Sequence, residues 1–263
     1  MNKTEITILG CGSSLGVPRI DGFWGKANKK NSKNYRTRCS IFVKYKNINI
    51  IIDTSPDIKI QILKNKIKNI DAVIYTHEHA DQTHGINELR PFYWKNKKKI
   101  PVYCSLKTLK SLKKSFSYLF IKKNFYYNPI LKKKIISKKN FTFKKGNQSI
   151  SFSPLKLIHG NINSYGFLFN KIAYIPDCSK IIPISLNKLH NLKLLIIDCL
   201  KFKEHPTHLN FNSALKYIDI LKPKKAILTN LHSDIDYNHI KKKLLKVSKT
   251  KIYPAYDNQK IYI

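Results

Sequence analysis

Apolar runs of strand length recur along this chain, and nearly every one ends on a polar or glycine-containing turn. Thr4-Glu5-Ile6-Thr7-Ile8-Leu9-Gly10 alternates polar and apolar positions, the period of a strand with one buried face. The run Ile50-Ile51-Ile52 is apolar throughout, as expected of a strand covered on both sides. Strands are predicted at 4–10, 38–45, 47–53, 70–76, 100–104, 149–158, 164–169, 171–176, 193–198 and 225–229, with a short closing pair at the end. Apolar positions spaced three and four apart among lysines predict helices at 57–67, 86–95, 106–117, 211–221 and 237–246. Pro56-Asp57 suits the start of the first of these. Residues 20–37 read as a polar, basic loop. Residues 118–145 mix Phe, Tyr, Ile and Lys, which reads as half-buried strands with solvated lysines; the same interleaving occurs on single-stranded nucleic-acid platforms. No linker or low-complexity break divides the chain. The pattern therefore predicts one α/β domain over 1–263, a four-layer αββα sandwich with two mixed sheets face to face and helices outside.

The candidate chemistry lies where these strands end. Directly after Ala72-Val73-Ile74-Tyr75 stands His77-Glu78-His79-Ala80-Asp81-Gln82-Thr83-His84-Gly85. In extended backbone, positions 77, 79 and 81 point to one side, so His77, His79 and Asp81 can converge. Imidazole and carboxylate at that spacing suit Zn, Mn or Fe. His159, Asp177 and His232 follow three later strands, and Asp53 and Asp198 end two more. Loops at one rim of a sheet stack are where sites are built.

Composition sharpens part of this picture. An apolar content of 42% supports a sizeable core. The net charge of +35 favours anionic partners, either a small anionic substrate or nucleic acid. However, only four of the 50 basic residues are Arg (Arg19, Arg36, Arg38 and Arg90), which looks more like AT-rich coding drift than selection for phosphate forks. Arg36, Arg38 and Arg90 are equally candidates for anion contacts and for structural pairing with Asp53 or Asp57. The five scattered cysteines include no Cys-x-x-Cys, which argues against a disulfide framework and for the cytoplasm. No apolar run reaches the ~18 residues of a membrane span, and the first residues lack the apolar stretch of a secretion signal, so no membrane association is expected.

Read together, these motifs resemble the metallo-β-lactamase fold superfamily from the first strand to about residue 236. Its signature is His-x-His-x-Asp-His, then a single His, a single Asp and a final His, each after a strand. The chain is most similar to the phosphodiesterase branch, which holds the phosphoribosyl 1,2-cyclic phosphate phosphodiesterase and, more distantly, the tRNA 3′-processing endonuclease. Shared features are Gly10-Cys11-Gly12-Ser13-Ser14-Leu15-Gly16-Val17-Pro18, Arg36-Thr37-Arg38-Cys39-Ser40, and His208 ahead of Ala214-Leu215 and Lys222-Pro223. The resemblance implies two divalent metal ions, Zn or Mn. His77, His79 and His159 would hold one, Asp81 and the final His the other, with Asp177 bridging. Three departures stand out. Gln82 occupies the motif's sixth position, with His84 two residues on as a substitute imidazole. Asn230 directly follows Leu228-Thr229, where the family places its last ligand; period-2 geometry makes His232 the expected replacement. The first loop lacks the cysteines of a structural zinc. The first two departures weaken the second metal site.

The resemblance also implies a mechanism. A metal-bound hydroxide, oriented by Asp81, attacks the phosphorus of a small, cyclic phosphodiester, and His208 protonates the leaving group, with His205 nearby. Ser13 and Ser14 would hold phosphate, and Asp53 would fix a histidine tautomer. The alternatives are an RNA-processing phosphodiesterase of the tRNA 3′-endonuclease type and a degenerate scaffold that binds RNA or protein without turnover. By analogy with the superfamily, the protein would form a homodimer.

Overall fold

The structure is a computed structural model that describes residues 3–122, 128–137, 139–247 and 250–263. The first half of the chain builds one sheet. β1 (Thr4–Gly10), β2 (Ser40–Tyr45) and β3 (Ile48–Ile52) form an antiparallel meander. β4 (Ala72–Ile74), β5 (Ile100–Cys104) and β6 (Leu131–Ile135) extend it in parallel. The second half builds the facing sheet. β7 (Phe141–Lys145), β8 (Gln148–His159), β9 (Ile162–Phe169) and β10 (Ile172–Ile175) run antiparallel, with β11 (Lys180–Ile181) on the edge of β8. β12 (Leu194–Asp198), β13 (Lys225–Thr229) and β14 (Lys251–Pro254) follow β10 in parallel. The last strand, β15 (Gln259–Tyr262), returns to pair with β1.

Strand periodicity accounts for the layers. In β3, Ile50 and Ile52 face the second sheet and join Ile6, Ile8, Phe152, Phe167, Tyr174 and Ile196 in the central core. Ile51, between them, faces outward and packs with Val73, Val102, Ile58 and Leu109. On the far side, Ala173, Ile175, Leu195 and Ile197 meet Phe211, Ala214, Ile218 and Ile240. Each fully buried Ile or Phe contributes roughly 1.5–3 kcal/mol. The outer layers are α1 (Ile58–Lys64), α2 (Ala80–Thr83), α3 (Arg90–Asn96), α4 (Leu106–Ser115) and α5 (Ser117–Phe120) on one side. On the other are α6 (Pro183–Leu186), α7 (Phe211–Leu221) and α8 (Tyr237–Val247). This is the expected αββα sandwich of two mixed sheets.

The details differ in places. The helix expected at 86–95 is a 3-10 turn, Ile86–Leu89, that runs into α3, because Pro91 fits only in the first turn of an α-helix. The basic aromatic stretch 118–145 yields α5, β6 and β7, while residues 123–127 and 138 lie outside the described residues. The five cysteines are all free and buried, as expected without disulfides. Among the described residues, no helix is long and apolar enough to cross a membrane. The fold brings the C-terminal ends of β3, β4, β8, β10, β12 and β13 to one rim, and the candidate residues leave the sheets there.

Candidate metal centre

His77, His79 and His159 come together at this rim. Their ring centroids lie 4.5, 5.2 and 5.2 Å apart. One ring nitrogen of each lies within 4.8 Å of those of the other two. Hydrogen bonding fixes which nitrogen is free. The Thr76 amide and hydroxyl donate to the two oxygens of Asp53 at 2.8 and 2.9 Å. The hydroxyl has one proton, so it accepts from Nδ1 of His77 at 3.0 Å. That leaves Nε2 of His77 with a bare lone pair, and this atom is buried without a hydrogen-bond partner. His159 Nδ1 sits 2.7 Å from the Thr207 carbonyl, which can only accept, so its Nε2 is bare as well. Burial, helped by the neighbouring imidazoles, holds His77 well below the usual imidazole range. Burial likewise lowers His159 to about 4. Neutral imidazoles with unshared lone pairs are what a divalent transition metal requires, so this donor set fits such an ion.

Asp177 lies beside His159 and His208, with an oxygen within 4.8 Å of a ring nitrogen of each. Its backbone carbonyl accepts from the Ser164 hydroxyl at 2.6 Å, fixing the loop after β10. Burial, opposed by His208 and reinforced by Asp81 and Asp198, pushes its carboxyl well above the usual range. Asp81 arrives differently from the expected i, i+2, i+4 alternation. His79 is still extended, at φ −61° and ψ 151°, but it caps α2, and Asp81 sits in the first helical turn. The alternation therefore holds for His77 and His79, and a helix turn supplies Asp81.

Opposite the imidazoles stands His208, its ring 4.6 Å from that of His159. Its Nδ1 lies 2.8 Å from Asp198 Oδ2 and 3.8 Å from Asp177 Oδ1. Burial lowers the His208 pKa, but Asp198, the hydrogen bond to it, and Asp177 and Asp81 outweigh that and raise it to about 9. At neutral pH this ring is an imidazolium, a proton donor. The Nδ1 of His205 is turned to the Thr207 hydroxyl at 3.1 Å, and its ring lies 5.4 Å from that of His208.

Two expected substitutes do not join the cluster. His232 turns its Nδ1 to the Asp234 amide at 3.2 Å and carboxylate at 3.4 Å, and it belongs to no metal-capable group among the described residues. The period-2 argument fails because Asn230 has a left-handed φ of +61°, which breaks the alternation between 230 and 232. Asn230 itself faces the centre. Its amide nitrogen donates to Asp177 Oδ1 at 3.2 Å and Asp198 Oδ1 at 3.1 Å. His84 is exposed, with its ring against Phe116 at 5.4 Å, because α2 carries it round to the outer face. Gln82, in contrast, is buried and donates to Asp81 and Asp177.

Ser13 is buried and Ser14 exposed in the turn after β1. Leu231 N donates to the Cys11 carbonyl at 2.8 Å, which seats that turn beside the Asn230 loop. Arg38 pairs with Asp57 at 2.6 Å, and the buried Arg36 bonds the Asn34 side chain and the His232 carbonyl, so both have structural partners. Arg90 lies over the Tyr118 ring. Sequence reasoning missed Thr76 and Thr207. Threonine is unremarkable in sequence; the usable signal is a hydroxyl residue directly before the first His of the motif.

Residues 48–230 match the family described as the beta-lactamase superfamily domain. The chain belongs to that superfamily. It has the metallo-β-lactamase fold of a hydrolase and stands close to the PhnP branch. A crystal structure described as a new diphosphatase from the PhnP family superimposes with a TM-score of 0.88 at 29% identity, covering 99% of this chain and 97% of that one. Zinc-bound PqqB from Methylobacterium extorquens shares the fold, with a TM-score of 0.77 at 16% identity over 98% of this chain and 99% of that one. Among curated proteins, a Porphyromonas gingivalis protein named octanoyltransferase is 28% identical over 95% of this chain. This superfamily member spans only 50% of that relative's length.

Proposed function

We propose that this protein is a metal-dependent phosphoric diester hydrolase acting on a small anionic phosphodiester. The observation that carries the proposal is the convergence of three imidazoles, with ring nitrogens within 4.8 Å of one another, on a rim that also holds the imidazolium of His208. His77, His79 and His159 would hold the ion, with Asp177 as a carboxylate ligand. A divalent cation supplies Lewis acidity and positive charge to the phosphoryl group under attack. The remaining work falls to side chains of this chain. Asp81 orients the attacking water and takes its proton. His208, held by Asp198, gives a proton to the leaving oxygen. Ser13, Ser14 and His205 flank the anion. The likeness to a PhnP-family diphosphatase favours a small diphosphate as a second substrate, since both reactions break a P–O bond at an anionic phosphorus. The octanoyl-transfer activity named for the longer relative is not carried over, because half of that protein has no counterpart here.

The test is hydrolysis by protein loaded with Zn or Mn. Bis-p-nitrophenyl phosphate is expected to be cleaved, and chelator treatment or His77→Ala to abolish cleavage. His208→Ala should spare that substrate, whose leaving group needs no proton, and slow an alkyl phosphodiester about 10²–10⁴-fold. Because the folded-state pKa of His208 is raised above the ordinary value to about 9, its proton stays in place through neutral pH and is lost as pH rises through about 9. The alkyl-ester rate is therefore expected to fall above that pH in wild type and to lose this limb in His208→Ala. Equal slowing of both substrates would remove His208 from the role of acid.

A further inference from the structure

Both oxygens of Asp177 are occupied by amide donors. Gln82, with no exposed surface, donates from Nε2 to Asp177 Oδ2 at 3.2 Å and to Asp81 Oδ2 at 3.1 Å. Asn230, 2% exposed, donates from Nδ2 to Asp177 Oδ1 at 3.2 Å and to Asp198 Oδ1 at 3.1 Å. Each NH2 group has two protons, and each bridges two carboxylates. A carbonyl oxygen in either place would face two carboxylate oxygens; Asn230 Nδ2 also lies 3.0 Å from His208 Nδ1, and Gln82 Oε1 is buried without a partner. On the far side of Asn230, Oδ1 is the atom turned toward the Cys39 thiol.

We infer that the centre takes one divalent ion, on His77, His79, His159 and Asp177, and that Gln82 and Asn230 take the place of a second ion by hydrogen-bonding Asp81, Asp177 and Asp198 with N–H donors. The inference rests on the metallo-hydrolase reading above. An amide nitrogen has no lone pair to offer a metal, and an amide oxygen is a neutral, weak ligand for zinc. To ligate a second ion, Asn230 would have to turn over and give up two bonds to carboxylates, and Gln82 could offer only its neutral Oε1, which is buried without a partner. His77 and His159 face no such obstacle, since Nε2 of each is already free.

The test is a metal count on full-length protein, purified without chelators, equilibrated with Zn or Mn, and measured by elemental analysis. One equivalent is expected in wild type, none in His77→Ala, one in Asp81→Asn, and two in the double variant Gln82→His/Asn230→His. With Mn, wild type should give the spin-resonance spectrum of an isolated ion, and the double variant the spectrum of an exchange-coupled pair. Two equivalents or a coupled spectrum in wild type would overturn the inference, whether or not the double variant folds. Loss of metal in Asp81→Asn would also overturn it. No metal at all in wild type would remove the hydrolase reading itself, an outcome distinct from finding two ions.

Discussion

Thr76 decides which nitrogen of His77 faces the cluster. Its single hydroxyl proton goes to Asp53, so the oxygen must accept from Nδ1 and the lone pair on Nε2 is left for a ligand. Thr76→Val removes that acceptor at nearly constant volume. Metal affinity, read by competition with a chromophoric chelator, is expected to fall about 10–100-fold, while Thr76→Ser keeps it near wild type. Equal affinity in all three proteins would show that Thr76 does not set the tautomer. The same logic at His159 runs through a backbone carbonyl, which no side-chain substitution can test directly.

At the scale of elements, the histidine loop is held by the loop after β3. Thr54 N donates to the Gln82 carbonyl and Gly85 N to the Thr54 carbonyl, both at 2.9 Å. The two backbones approach so closely that a Cβ on Gly85 would lie 2.1 Å from the Ser55 carbonyl oxygen and 2.5 Å from Ile58 Cγ2. Backbone cannot escape by changing rotamer. Gly85→Ala is therefore expected to destabilise the fold by about 1–3 kcal/mol, lowering the melting temperature by about 2–4 °C per kcal/mol, and to weaken metal binding as α2 shifts. An unchanged melting temperature would mean that the loops separate freely and do not hold the motif in place.

At the scale of the whole molecule, the net charge of +35 creates a field that attracts any polyanion. We expect RNA to be retained at low salt and lost by at least 10-fold between about 50 and 200 mM salt. Hydrolysis of a small phosphodiester should change much less over that range, because its contacts are with the buried centre. Trimming of a tRNA precursor with the same metal dependence as the small substrate would favour an RNA-end substrate over a small one.

The layers, the order of most elements and the convergence of His77 with His79 are legible in the sequence alone. Those features rest on short-range periodicity: alternation in Thr4–Gly10, the doubly covered Ile50–Ile52, and His77 and His79 one strand period apart. It also exposed the two departures at Gln82 and Asn230, because a motif position is read without coordinates. Tertiary structure alone decided what those amides touch. Gln82 and Asp177 are separated by 95 residues, and Asn230 and Asp198 by 32, so no local rule predicts those hydrogen bonds. Backbone conformation decided the remaining cases. A positive φ at Asn230 turned His232 away, and the start of α2 turned Asp81 inward and His84 outward; neither change leaves a trace in the pattern of apolar and polar positions.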